Sequence, residues 1–573
     1  MEREIKLYEK WFERTKNIPA QNAELLSIKD NPEEIKDRFY CNLDFGTAGL
    51  RGVLGLGTNR MNIYTVRQAT QGFASFLLES CESNTPKVAI AYDSRNFSTE
   101  FADEAAAVFA ANGIKVQLYR ELMPTPALSY AVRELGCDAG VVVTASHNPA
   151  KYNGYKAYGS DGCQIGPEQA DRVLEFIKRC DIFDDVKTMP LKQALEQGLV
   201  EYIPDEFIEQ YISRVYEESL QPEACAKAGL KLVYTPLNGA GYRCVTTILN
   251  KAGVKNIAIV KEQEKPDGDF PTCPYPNPEI HEALELGIKL CKATDADLLL
   301  ATDPDCDRVA IAVKAGDDYR IITGNEAGVL LLDYIAGARI KAGKMPKNPV
   351  AVKSIVSTKL ADAVAAEYGV ELVSVLTGFK FIGEVILGLE QNNEQERYIF
   401  GFEESCGYLS GGYVRDKDAV DASLLLVEAA SALKLEGKTL LDRLGEIYAK
   451  HGIYKNAVES YSFEGSDGMQ KMAEIMQSLR DNAPTEIAGR KVIASSDYKA
   501  SKRYCADGES VIALPPSNVL EYEMDDKCSV IVRPSGTEPK IKIYYSMVAN
   551  TAAEIEPLYA EYSRECKALI GVK

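Results

Sequence analysis

One order of signals occurs three times along this chain, and it restricts the fold more than any single motif. An apolar, β-rich run leads into a loop containing Ser or Thr at Lys87-Val-Ala-Ile-Ala-Tyr-Asp-Ser94, Leu230-Lys-Leu-Val-Tyr-Thr-Pro-Leu237 and Val350-Ala-Val-Lys-Ser-Ile-Val-Ser357. A helix-like segment follows and ends each time at a glycine before a β-branched residue: Gly113-Ile114, Gly253-Val254 and Gly369-Val370. A glycine closes a helix readily and a β-branched residue opens a strand readily, so each pair predicts a helix-to-strand junction. A further apolar run then stops in a polar loop: Thr144-Ala-Ser-His-Asn-Pro149, Asp303-Pro-Asp-Cys-Asp-Arg308 and Gly401-Phe-Glu-Glu-Ser-Cys-Gly407. Strand–helix–strand–helix–strand units of this kind predict three related α/β domains with parallel or mixed sheets. Their polar loops lie at equivalent strand ends, where they can converge on one cleft.

With 573 residues, 46% of them apolar and 26% charged, the chain has room for about four domains of ordinary globular composition. After residue 451 the texture changes. Lys527-Cys-Ser-Val-Ile-Val-Arg533 and Lys540-Ile-Lys-Ile-Tyr-Tyr-Ser546 partly alternate and flank Pro534-Ser-Gly-Thr-Glu-Pro539, which predicts a smaller α+β domain with a mostly antiparallel sheet. The expected division is 1–205 (with a helical extension over the first forty or so residues), 206–325, 326–450 and 451–573. A net charge of −19 argues against nucleic acid or an anionic membrane as partner. Fourteen scattered cysteines without a C-x-x-C pair fit reduced thiols of a cytoplasmic protein. No signal-like start and no apolar stretch near ~18 residues is visible.

The polar loops carry the chemistry. Ser146 and His147 follow the buried-strand run Ala139–Val143, and strand carboxyl ends are where α/β folds place their sites. Asp303, Asp305 and Asp307 crowd three carboxylates at alternate positions, which repel unless a cation neutralises them; hard oxygen donors favour Mg²⁺. An EF-hand is excluded, because Arg308 and Lys314 stand where its Gly and Glu belong. Arg533 with Ser535, Gly536 and Thr537 combines a guanidinium, two hydroxyls and a flexible backbone, a set suited to an anion. Gly46-Thr-Ala-Gly-Leu-Arg-Gly52 reads as a glycine-rich loop holding Arg51. Gly437-Lys438-Thr439 lacks the first glycine of a Walker A motif, and Ser405 lacks the first glycine of a hydrolase elbow. Lys156 lies close enough after Ser146 to fold back beside it, and a cationic neighbourhood is expected to lower its pKa towards proton transfer.

Taken in order, T-A-S-H-N-P, D-P-D-C-D-R, G-F-E-E-S and R-P-S-G-T resemble the α-D-phosphohexomutase superfamily, most closely its phosphoglucomutase branch that includes phosphopentomutases. The resemblance runs from about residue 40 to the C-terminus and implies four domains around a central cleft. It implies a phosphoserine at Ser146, Mg²⁺ held by Asp303, Asp305, Asp307 and a phosphoserine oxygen, and Arg51 and Arg308 steadying the transferring phosphoryl group. His147 would support the phosphoserine loop and Lys156 would be the general acid/base. Glu403 and Ser405 would hydrogen-bond sugar hydroxyls, and Arg533, Ser535, Gly536 and Thr537 would hold the phosphate that is not reacting. Two departures stand out: Lys380 occupies the segment where some relatives place a Gly-His or Gly-Trp pair, and Cys306 replaces a small Ala or Gly. Lys380 is assigned to specificity or proton transfer, and Arg415 or Lys417 to reaching a phosphate.

The implied activity is an Mg²⁺-dependent interconversion of glucose 1-phosphate and glucose 6-phosphate through glucose 1,6-bisphosphate, which also serves as activator. Phosphopentomutase and phosphomannomutase are the alternatives within the fold. A non-catalytic sugar-phosphate binder would need neither Ser146 nor three aspartates, and a phosphatase would need a water-activating base beside Ser146. Sugar phosphates are the expected partners of a monomer or dimer.

Overall fold

The computed structural model describes residues 1–46, 49–81, 83, 85–463, 468–535 and 539–572. Each of the three repeats folds as its pattern requires. Strand Lys87–Tyr92, helix Ser98–Ala111 and strand Lys115–Tyr119 are matched by Lys231–Thr235, Gly241–Lys251 and Asn256–Ile259, and by Val350–Ser354, Leu360–Glu367 and Glu371–Val375. All three helices close in the same way. Gly113, Gly253 and Gly369 take φ of 79°, 87° and 65°. The next residue returns its N–H to a carbonyl five positions back: Ile114 to Phe109, Val254 to Leu249 and Val370 to Ala365, at 3.0, 3.0 and 2.9 Å. This is the Schellman closure, which leaves the chain aimed into the following strand.

The third apolar run of each repeat becomes the neighbour of the first. Ala139–Val143 lies beside Lys87–Tyr92, Leu298–Thr302 beside Lys231–Thr235, and Tyr398–Glu403 beside Val350–Ser354. In the first two sheets these pairs are parallel, and an antiparallel strand follows on the other side: Tyr152–Gly159 and Val309–Ala315. The first sheet gains one more antiparallel strand, Gly49–Val53, at its edge. The apolar runs are wholly buried, as continuous runs between helix layers should be.

Two compact units emerge. One holds Met1–Thr323, Ile382–Tyr398 and Ser405–Gly437; the other holds Gly324–Phe381, Ile399–Glu404 and Lys438–Lys573. In the first unit, helices Glu2–Thr15, Pro19–Ser27 and Pro32–Phe39 form the N-terminal extension around Trp11, Leu25 and Phe39. Helix Ala419–Leu435 packs there among helices Asp205–Tyr216, Pro222–Ala228 and Gly241–Lys251. Gly437 (φ 75°) ends that helix, and Thr439 caps the next by accepting from the Asp442 N–H, so this Gly-Lys-Thr run is a helix junction. No helix among the described residues is long and apolar enough to cross a membrane.

In the second unit the C-terminal strands form an antiparallel sheet covered by helices Gly468–Asp481 and Ala552–Leu569. Glu459, on strand Ile453–Ser462, fastens the second helix to this sheet. Its carboxylate accepts from Tyr545 at 2.9 Å, Tyr559 at 3.0 Å and Ser563 at 2.8 Å, and from Tyr461. Burial pushes its pKa up, but these hydroxyls outweigh it and hold the carboxyl down at about 2. Such a group stabilises the fold above its unfolded pKa, and the contribution is lost as pH falls through the folded value. Glu459→Gln is therefore expected to weaken the C-terminal sheet by on the order of 1–2 kcal/mol at neutral pH, allowing for partial solvent access. Thermal melting should show the gap to the parent closing between about pH 5 and about pH 2; a gap that does not change with pH would contradict this role.

Candidate active site

The first unit gathers Ser146, His147, Arg51, Lys156, the three aspartates and Arg308. Ser146 sits three residues beyond strand Ala139–Val143 with φ of 50°, a left-handed conformation unusual for a serine. Its N–H donates to Thr144 Oγ1 at 2.8 Å, and its Oγ donates to Asp303 Oδ2 at 2.8 Å and lies 3.2 Å from His147 Nδ1. Thr144 in turn donates to Asp93 Oδ2 at 2.6 Å. Every member of this chain except His147 is buried.

Arg51 is carried by strand Gly49–Val53 rather than by a glycine-rich loop, so that part of the sequence reading is corrected; Thr47 and Ala48 lie outside the described residues. The glycines serve close backbone approach. A Cβ on Gly49 would stand 1.8 Å from the Tyr155 carbonyl, and one on Gly154 would stand 2.5 Å from that of Thr144. In the antiparallel register Arg51 faces Gly154 and Gly49 faces Lys156, which puts both cations on one face of the sheet. Lys156 also lies opposite Val142, so it does return beside the serine loop.

Asp303, Asp305 and Asp307 are fully buried, and their ligand oxygens lie within 4.8 Å of one another. Cys306, between them, takes φ of 51° and is itself buried, in keeping with a position that glycine suits. Asp303 Oδ1 accepts from the Asp307 and Arg308 N–H groups at 3.1 and 3.0 Å. Lys156 donates to Asp305 Oδ2 at 2.8 Å and lies 3.5 Å from Asp307 Oδ2, with Lys417 3.0 Å from the latter. Thr125 Oγ1 adds a 3.0 Å bond to Asp305 Oδ2. Asp305 Oδ1 and Asp307 Oδ1 are buried with no hydrogen-bond donor. Two orphaned anionic oxygens beside a third carboxylate and a serine hydroxyl form a donor set that fits a hard divalent cation.

The electrostatics agree with that fit. Burial and the two neighbouring carboxylates push Asp303 well above the usual carboxylate range. Burial acts on Asp305 too, yet Lys156, the hydrogen bond shared with Asp303 and Lys417 carry it below that range. Lys156 is largely but not wholly buried, which lowers its pKa, but Asp305 and Asp307 outweigh burial and raise it. The expectation of a depressed lysine is thus reversed, because its nearest neighbours are anions rather than cations. His147 is pushed down to about 2 by burial and by Arg308 and Arg51, so a neutral imidazole faces the serine. Arg308 pairs with Glu279 at 2.7 Å, and Tyr275 meets the His147 ring edge-on at 5.8 Å.

Arg415 is only 1% exposed and is bound to the Gly412 and Val414 carbonyls and to Glu390, while its N–H donates to Ser129 Oγ at 2.9 Å. It braces its loop; Lys417, two residues on, is the cation of this segment that reaches the carboxylates. Ser405 is half-buried in the turn after strand Tyr398–Glu403. In the second unit Glu403 is buried and accepts the Gly378 N–H at 2.7 Å, close in sequence to Lys380 at the start of helix Phe379–Gln391. Lys380 Nζ stands 5.4 Å from the Phe381 ring centroid. Arg533 is on strand Ser529–Pro534 opposite Lys542, and the Ser535 N–H donates to the Lys540 carbonyl at 2.7 Å. Gly536 and Thr537 lie outside the described residues.

Arg95 and Asp93 were missed. Both follow strand Lys87–Tyr92, the parallel neighbour of the strand that carries Ser146, so the rule that singled out Ser146 applied there equally.

Three successive family models match this chain: phosphoglucomutase/phosphomannomutase α/β/α domain I over residues 42–181, domain II over 209–316 and domain III over 323–451. A phosphoglucomutase of Staphylococcus epidermidis is 39% identical, covering 90% of this chain and 92% of its own. One from Staphylococcus aureus is 37% identical over 94% and 95%. Among solved structures, the Paramecium phosphoglucomutase parafusin superposes with a TM-score of 0.68 at 18% identity, covering 93% of this chain and 95% of its own. A Thermus thermophilus protein described as a phosphomannomutase gives 0.67 at 21%, over 93% and 99%. By these matches the chain belongs to the phosphoglucomutase/phosphomannomutase family of the α-D-phosphohexomutase superfamily.

Proposed function

We propose that this enzyme interconverts α-D-glucose 1-phosphate and glucose 6-phosphate, with Ser146 carrying the phosphoryl group between them through glucose 1,6-bisphosphate. The observation that carries this reading is the Ser146 hydroxyl, 2.8 Å from Asp303, set against two buried carboxylate oxygens that have no donor. The relatives named phosphoglucomutase support the glucose assignment.

Mg²⁺ would be held by Asp303, Asp305, Asp307 and an oxygen on Ser146, and when bound it supplies neutralisation of charge on the transferring phosphoryl group. The remaining work belongs to side chains. In the first transfer the Ser146 Oγ–phosphorus bond breaks, a sugar oxygen–phosphorus bond forms, and the sugar hydroxyl's proton must leave. Lys156, held protonated by its aspartates, gives its proton to the departing Ser146 Oγ and takes the sugar hydroxyl's proton in its place, and the same exchange runs in reverse in the second half. Arg51 and Arg308 steady the phosphoryl group, and neutral His147 orients the serine hydroxyl without adding charge. Glu403 and Ser405 hold sugar hydroxyls in both orientations of the bisphosphate, with Lys380 contributing to sugar selection. Arg533, Ser535, Gly536 and Thr537 hold the other phosphate. Water must be excluded while Ser146 is phosphorylated, since hydrolysis would end the cycle.

Turnover on glucose 1-phosphate, mannose 1-phosphate and ribose 1-phosphate, with glucose 1,6-bisphosphate and Mg²⁺ present, is expected to be greatest for glucose; a ribose or mannose preference would reassign the sugar. Ser146→Ala should lose at least about 10³-fold in kcat and the phosphoryl mass seen on the parent protein, and full turnover by this variant would overturn the serine role. Added Mg²⁺ should raise the melting temperature of the parent, and Asp305→Asn should weaken Mg²⁺ binding in calorimetry by about 10–100-fold with a matching loss of that shift. An unchanged affinity would remove Asp305 from the metal site.

A further inference from the structure

Among the described residues, one side chain outside the reacting set makes five hydrogen bonds to the segment that carries the serine. Arg95 follows strand Lys87–Tyr92 and has no exposed side-chain surface. A guanidinium offers five N–H groups in one plane. Here all five are spent on backbone carbonyls of a single segment. Nε donates to Ser146 O at 3.2 Å, and Nη1 donates to Pro149 O and Tyr152 O, both at 3.1 Å. Nη2 donates to Ser146 O and Asn148 O. The segment so gathered runs from the serine to the start of strand Tyr152–Gly159, which carries Lys156.

The guanidinium is itself held on two sides. Asp93 lies 3.4 Å from Nε with both carboxylate oxygens engaged, Oδ2 by Thr144 at 2.6 Å and Oδ1 by Ser98 at 2.8 Å. Phe270 covers the guanidinium plane with its ring centroid 5.1 Å away. Phe270 belongs to 265–280, a stretch without helix or strand that contains five prolines. The Thr144 hydroxyl, donating to Asp93, accepts the Ser146 N–H. Asp93 and Arg95 therefore hold Ser146 at both its N–H and its carbonyl. Without such restraint a serine has little reason to remain at a φ of 50°.

We propose that Arg95 is a positioning residue for the phosphoryl-carrying serine: by gathering the carbonyls of Ser146, Asn148, Pro149 and Tyr152 it holds the strained backbone that aims Ser146 Oγ at Asp303 and fixes the spacing of Ser146 from Lys156. This rests on the reading of Ser146 as the phosphorylated residue. Lysine is not an equivalent, because its three donors diverge from one point and cannot span four carbonyls in a plane.

The test compares the parent, Arg95→Lys and Arg95→Met, each brought to saturating Mg²⁺. Incorporation of phosphate on Ser146 from glucose 1,6-bisphosphate is followed by intact mass, and steady-state kcat and KM for glucose 1-phosphate are measured beside melting curves. Arg95→Met is expected to slow both phosphoserine formation and kcat by about 100-fold or more while KM moves less than about threefold, the pattern of a lost transition-state alignment. Arg95→Lys keeps the buried charge opposite Asp93 and is expected to melt within a few degrees of the parent yet fall about tenfold or more in kcat. Should Arg95→Met fail to fold, Arg95→Lys decides alone. A folded Arg95→Lys with the parent's kcat and phosphorylation rate would overturn the inference. A parent protein that turns over but carries no phosphate on Ser146 would instead overturn the reading on which it rests.

Discussion

Three carboxylates buried within 4.8 Å of one another cannot all keep their charge unless positive charge is buried with them. Much of the first unit satisfies that condition. Lys156 and Lys417 approach from different elements, and Ser146 and Thr125 supply hydroxyl donors. What the side chains leave unmet, two orphaned oxygens, suits a hard divalent cation. The same anionic cluster acts on the lysine: burial alone would lower the Lys156 pKa, whereas the aspartates beside it raise it. A lysine with a raised pKa and an oxygen set that fits a cation are therefore consequences of one electrostatic arrangement.

Most of the architecture was legible in the chain because its repeats are written in short-range chemistry. A glycine with positive φ before a β-branched residue is a local signal, and all three helix ends obey it. The same holds for the apolar runs and for the clustering of Asp303, Asp305 and Asp307, since alternate residues after a strand have few places to go. What was not legible depends on partners far along the chain. Whether Gly49 belongs to a phosphate loop or an edge strand is decided by Tyr155, whose carbonyl would strike any Cβ there. Arg415 and Lys417 are two residues apart with the same charge, and only Glu390 and Asp307 distinguish their tasks. Arg95 went unremarked because nothing in its own segment shows that its guanidinium donates to carbonyls some fifty residues away.

The three polar loops share a backbone device as well as a place in the fold. Ser146, Cys306 and Cys406 all have φ between 50° and 62° although none is glycine. Each follows a buried strand by three or four residues. A left-handed residue there turns the chain sharply enough to begin the next strand or loop while leaving its neighbours' side chains at the strand end. One backbone solution thus recurs beneath three chemistries, a hydroxyl loop, a carboxylate loop and a Glu-Glu-Ser loop.

The path of the chain through its two units has a consequence for the order in which the protein is made. The first unit contains the N-terminus, yet it also needs residues 382–398 and 405–437, including the helix Ala419–Leu435 that packs among three of its helices. Until that helix has left the ribosome, apolar faces of the earlier helices have nothing to cover them. The aspartate cluster lacks Lys417 for the same interval. The N-terminal part of this enzyme is therefore synthesised first and completed late, and its longest wait is for a segment that lies beyond most of the third repeat.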